Sequence, residues 1–289
     1  MEENFNYNLY TNLFGLARTL LSCSLLLTLS FNSPYDLFPH MKGVPVNSLL
    51  KIESIYNSLN FFLLLGISKI KVMYYIAITL LFITSIGFLP SLFCVIHWWI
   101  QYSFINSSSC VDGGDQIASN ISLMLIPIFI FDNRIWHWQN IRIENIKWQK
   151  IILSNVVRKL IRIQMCVIYF HAAVGKFNVT EWVNGTAIYY WLNSSFFRMS
   201  PNLERITMFI ISNPIISGVI TWGVIIIEII LSFAFLSDKK YRSKLFILAV
   251  IFHSFFIVYF GLVSFFLVML SGLIFYLVNP NKIINFKTK

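Results

Sequence analysis

One apolar run after another, each near the length of a membrane crossing and almost free of charge, leaves this chain few folds to choose from. Residues 13–31 are long enough to cross ~30 Å of hydrocarbon and contain one charge, Arg18. A second run covers 72–88, Pro90 breaks it, and further runs follow at 91–105, 116–131, 161–175 and 215–236. The last, 245–278, is too long for one helix and fits two short ones turning at Gly261. Residues 54–66 are too short to span and fit an interfacial or re-entrant helix. With 57% apolar and only 12% charged residues, against about one quarter charged in soluble domains, no polar stretch is long enough to build a soluble core. The expectation is an all-α polytopic membrane bundle of about eight transmembrane helices, within a range of six to nine. It forms a single domain over 1–289 with no separate soluble part.

The formal charge of +10 is not that of a nucleic-acid binder, because the basic residues sit in short loops between apolar runs. The segment from Asp132 to Arg162 holds Arg134, Arg142, Lys147, Lys150, Arg158 and Lys159 against only Asp132 and Glu144, which marks the cytoplasmic side. Within it, IENIKWQKIILSNVVRKLIRIQ reads as an amphipathic surface helix whose cations meet anionic lipid of the bilayer. DKKYRSK at 238–244 and the lysine-bearing tail fall on the same side, so both termini are expected in the cytoplasm. The loop 106–115 carries aspartates and no Lys or Arg, which places it outside. Its Asp112 and Asp115 flank a glycine pair that reads either as a cation site or as a solvated loop, the latter being commoner. The four cysteines show no ligand spacing, and no metal site is expected. The first run follows an acidic start and lacks a cleavage signature, so no signal peptide is expected.

Chemistry concentrates where an apolar helix carrying His171 runs out at Gly175 and Lys176. An ionisable group at the edge of an apolar run is either functional or a lysine snorkelling to the interface. Glu228 lies near the middle of the run 215–236, where a carboxylate must take up a proton or find a cation; Arg18 and Lys176 are the candidate partners. His253 falls in the middle of the following run. The polar, aromatic stretch 179–213, with Trp182, suits a re-entrant or interfacial cover over a membrane cavity. Lys176, His171, Glu228 and His253 are therefore the candidate catalytic residues, and they could face one cavity. Gln116 and Asn120 share a helical face and, with Trp182, are candidate substrate contacts. Neither a serine-protease, an HExxH nor a paired-aspartate protease signature occurs.

Three blocks carry a resemblance: IYFHAAVGKF followed by Glu181, Trp182 and Gly185; FDNRIW at 131–136; and IFHSFFIVYFGLVSFFLVML at 251–270. Together they resemble the HTTM superfamily, which includes the vitamin K-dependent gamma-glutamyl carboxylases, and within it most closely the SdpB family of sporulation-delaying-peptide maturation proteins. The resemblance implies a multi-pass protein of a bacterial cell membrane that matures a secreted antimicrobial peptide from a toxin precursor, together with a small partner protein. It also implies a reduced quinone as cofactor, Lys176 as the base that deprotonates it and His253 as a supporting polar group. Gln116 or Asn120 stands near the place of the carboxylases' catalytic histidine. Two other readings stay open beside maturation: a quinol-dependent carboxylase or oxidoreductase acting on a peptide, and a non-enzymatic exporter, chaperone or immunity protein.

Overall fold

The computed structural model describes residues 8–42, 59–194 and 201–284. Among the described residues there is no strand, and Phe88 and Trp136 meet in an isolated bridge. The apolar runs become long helices: α1 (Asn12–Phe31), α2 (Ile70–Ile86), α3 (Pro90–Ser107), α4 (Gly113–Phe129), α5 (Trp148–Lys176), α6 (Pro214–Phe233), α7 (Lys239–Phe260) and α8 (Val263–Leu277). Four helical stretches among the described residues, Asn12–Phe31, Ile67–Ile86, Pro214–Leu236 and Lys239–Phe260, are long and apolar enough to cross a membrane. The run 245–278 divides into two helices at Gly261, which ends the first at φ +67°, but that helix is not short: it begins at Lys239 and takes in residues 239–244, expected as a loop.

α1 lies at the centre, packed along α8 and α2. The Ser271 hydroxyl donates to the Ala17 carbonyl at 2.7 Å, and the Phe14 and Phe275 rings lie 5.0 Å apart. α3 pairs with α4, and α5 with α6. Gly87 ends α2 in the left-handed region at φ +92°, and a Cβ there would stand 2.2 Å from the His137 ring, so the turn needs a glycine on both counts. Pro90 opens α3, where its missing N–H has no intrahelical acceptor to lose.

One end of the bundle gathers the start of α1, the loop between α4 and α5, and the C-terminal segment. Asn8 Nδ2 donates to the Ile141 carbonyl at 2.6 Å, and Asn12 Nδ2 to the Ile284 carbonyl at 2.7 Å. The two ends of the described chain thus lie on the same side as the basic loop. That loop is stapled by FDNRIW. Arg134 donates through Nε and Nη2 to the Asp132 carboxylate at 2.7–3.1 Å, and through Nη1 to the carbonyls of His137 and Gln139 at 3.0 and 2.6 Å. His137 is fully buried beneath it, with Nε2 3.2 Å from the Thr19 hydroxyl. Since that hydroxyl donates to the Ser85 carbonyl, the imidazole is the donor to Thr19.

Burial, and after it the Arg18 and Arg134 guanidinium groups, push the His137 pKa down to about 3 from 6.5. Above pH 6.5 the ring is neutral in both folded and unfolded chains, and its packing is fully retained. As pH falls from 6.5 towards 3 only the unfolded chain binds the proton, so stability drops by up to ~1.4 kcal/mol per pH unit. Wild-type protein in detergent should therefore lose thermal stability more steeply than His137→Asn between pH 7 and 5. Parallel curves for the two would contradict this assignment.

The charged half of IENIKWQKIILSNVVRKLIRIQ differs from its expected place on the membrane surface. Residues 148–176 form one helix, ~44 Å long at 1.5 Å per residue. Arg158 and Arg162 are buried inside the bundle, where they meet other helices' C-terminal ends. Arg158 donates to the Val278 carbonyl at 2.8 Å and Arg162 to that of Phe235 at 2.9 Å. A guanidinium at a helix C-terminus meets orphan carbonyls and the negative end of the dipole, which makes burial tolerable. Arg18 also stays inside: it is fully buried with its guanidinium 4.9 Å from the Phe129 ring centroid, neither snorkelling nor bonded to Glu228. The expected helix at 54–66 lies partly outside the described residues, and Phe61–Leu63 within it form a single 3-10 turn. The stretch 179–213 contains the helices Thr180–Val183, Ala187–Leu192 and Pro201–Ile211, while residues 195–200 lie outside the described ones.

Candidate functional site

Lys176 is the last residue of α5, yet its side chain turns back along the helix instead of outward. Side chains in a helix tilt towards its N-terminus, and the Nζ donates to the Ala172 carbonyl one turn earlier at 3.1 Å. This brings the ammonium beside α6, where both Glu228 oxygens accept from it at 2.7 Å. Of the two cations considered for Glu228, Lys176 is the one that meets it. The pair is largely buried, with side-chain exposures of 18% for Lys176 and 8% for Glu228.

Trp182 closes the pair from the side of the 177–213 segment. Lys176 Nζ lies 5.0 Å from its ring centroid, a cation–π distance, and the indole is buried against Ala187 and Ile225. Gly185 makes this cover possible. It turns the chain at φ +76°, and a Cβ there would sit 3.1 Å from the Gly218 Cα of α6. The segment 180–192 therefore lies directly on α6, and Phe177 and Trp222 add a second ring contact at 6.0 Å.

His253 belongs to a different cluster. Its Nε2 is 2.8 Å from the Tyr169 hydroxyl, both residues are buried, and Phe252, Phe256 and Phe265 surround the ring. Tyr169 and Lys176 are seven residues apart on α5, hence on one face and about 10 Å apart along its axis. His171 faces the opposite way: it is exposed on the outer side of α5. Gln116 and Asn120 share a face of α4, as their spacing requires, but both are exposed, unlike the largely buried Lys176 pair. The structure thus brings Lys176, Glu228 and Trp182 together, sets His253 on a neighbouring tyrosine, and leaves the other three outside.

Tyr169, which holds His253, belongs to the same IYFHAAVGKF motif as Lys176. The signal was available, since the 3.6-residue period puts 169, 173 and 176 on one face of the helix and 171 on the other. At the far end of α3, Asp112 and Asp115 form a capping box that opens α4: Asp112 Oδ1 accepts from the Asp115 amide at 3.0 Å and Asp115 Oδ2 from the Asp112 amide at 3.2 Å. Among the described residues no group of three or more His, Cys, Asp or Glu is placed to hold a metal.

Among the described residues the fold is an all-helical bundle in which a buried lysine–glutamate pair joins the end of α5 to the interior of α6. The chain is 33% identical to the sporulation-delaying protein SdpB of Bacillus subtilis (strain 168) over 273 residues, covering 94% of this chain and 82% of that protein. It is 32% identical to the uncharacterized protein YitO of the same organism over 281 residues, covering 96% of this chain and 89% of that protein. The chain belongs to the SdpB family. No family model matches it, and no solved structure matches it significantly. The family and the apolar helices are together consistent with a membrane protein.

Proposed function

We propose that this chain is the multi-pass membrane component that matures a secreted antimicrobial peptide from its precursor, with Lys176 and Glu228 as the reactive pair. Membership of the SdpB family supports the peptide-maturation role. The observation that carries the chemistry is the direct 2.7 Å contact of the Lys176 amine with both Glu228 oxygens under the Trp182 ring. In such a pair the proton passes between nitrogen and oxygen. A neutral amine then becomes available as a base when Glu228 takes the proton, and an ammonium as an acid when it returns it. Trp182 covers the amine on the side of the 180–192 segment.

All eight long helices are read as crossing the bilayer alternately, so that both ends of the chain and the basic loop lie in the cytoplasm and the Lys176 pair lies within the bilayer, at the outward end of α5 and past the middle of α6. Peptide recognition then falls to the loops and to a small partner protein. The HTTM resemblance adds a reduced quinone. The residues fit one to the extent that the Lys176 amine offers a proton acceptor beside the Trp182 ring. When bound, such a group supplies reducing equivalents that no side chain here provides.

The experiment is intact mass spectrometry of the peptide secreted by cells carrying wild-type protein or Lys176→Ala, with protein abundance checked by immunoblot. The maturation-specific mass should be present only with wild type. The same mass at wild-type yield with normal abundance of the variant would remove Lys176 from the chemistry.

A further inference from the structure

The basic end of the bundle, remote from Lys176, holds a cleft of about 430 Å³ between the end of α4, the start of α5 and Tyr10. Its walls divide by chemistry. Ile130 and Phe131 form an apolar side, while Asn133, Lys147 and Lys150 supply polar groups. Among the described residues no carboxylate lines it. Of the described acids in this loop, Asp132 is buried and paired with Arg134, and Glu144 is exposed outside the lining. Lys150 is already held in place, donating to the Phe131 carbonyl with its Nζ 5.6 Å from the Tyr10 ring centroid. α5, a 29-residue helix, begins beside the cleft, its N-cap Lys147 being one of the lining residues.

We infer that this cleft binds the headgroup phosphate of an anionic phospholipid. Two ammonium groups, Lys147 and Lys150, in a lining whose described residues include no acid favour a phosphate, and the apolar wall selects one attached to hydrocarbon. Phe131, Ile135 and Trp148 are exposed beside the opening, as aromatic and aliphatic side chains are where a protein surface meets acyl chains. A bound lipid would fix the junction of α4 and α5. The same junction begins the helix that ends at Lys176, so the lipid would sit at the far end of the element carrying the reactive amine. The lipid inference does not depend on the maturation reading, because it rests on the cleft alone.

The test uses purified full-length protein in neutral detergent, titrated with phosphatidylglycerol or phosphatidylcholine and read by native mass spectrometry. Wild type should retain phosphatidylglycerol roughly tenfold better than phosphatidylcholine, and Lys147→Gln/Lys150→Gln should lose most of that preference, as expected when two lysines face an anionic headgroup. Lys239→Gln/Lys240→Gln, which removes equal charge from the start of α7, should keep it. Should the first double variant fail to fold, Lys147→Gln alone serves, since Lys147 is exposed, and it should reduce the preference severalfold. An unchanged preference in the folded Lys147 variants overturns the inference. Displacement of the lipid by inorganic phosphate at equal concentration would make the cleft a free-phosphate site. Stronger retention of an acidic peptide than of phosphatidylglycerol would make it a peptide site, and either result also overturns the lipid assignment.

Discussion

Lys176→Met on its own is expected to destabilise the purified protein by about 3–5 kcal/mol, while Lys176→Met/Glu228→Leu recovers most of that loss. The single change strands a largely buried carboxylate with no cation, and uncompensated charge is what makes breaking a buried pair expensive. The double change removes both charges and fills the space between α5 and α6 with apolar groups of similar length. Chemical denaturation in detergent, followed by tryptophan fluorescence, reads both variants on the same scale. If the double variant were as unstable as the single one, the pair would be a structural lock whose geometry the bundle requires.

Arg134→Ala is expected to be at least as damaging, again by about 3–5 kcal/mol. Its guanidinium satisfies the carboxylate of Asp132, itself 1% exposed, and two loop carbonyls at once. Removing it leaves a buried carboxylate and two unpaired acceptors in the loop that also positions His137 under Gly87. Limited proteolysis should then show new cleavage within residues 130–147 before any cut in α1 or α8. Cleavage unchanged from wild type would mean that the loop is held by other contacts.

The helices are readable because an apolar run of membrane length has few alternatives, and the turn at Gly261 follows from the backbone freedom of glycine; the earlier turn falls at Gly87, ahead of the Pro90 that the sequence marks as the break. What local reading missed has one physical origin. Arg158 and Arg162 look like surface residues in sequence because the carbonyls that accept from them belong to residues 278 and 235, which only the tertiary fold brings near. The contact of Glu228 with Lys176 was legible as one of two options, since a mid-span acid requires a cation, and only packing could choose between Lys176 and Arg18. The placement of His171 was different. Helical periodicity alone puts it opposite Tyr169 and Lys176, so its grouping with them followed from proximity in sequence and not from the face it occupies.

The most direct test of the central claim is the mass of the peptide secreted by cells that carry Lys176→Met/Glu228→Leu, a variant designed to fold without the pair. The account predicts normal amounts of the variant in the membrane and no mature peptide. Mature peptide at the wild-type mass and yield would contradict it, and would leave the pair a structural contact between two helices.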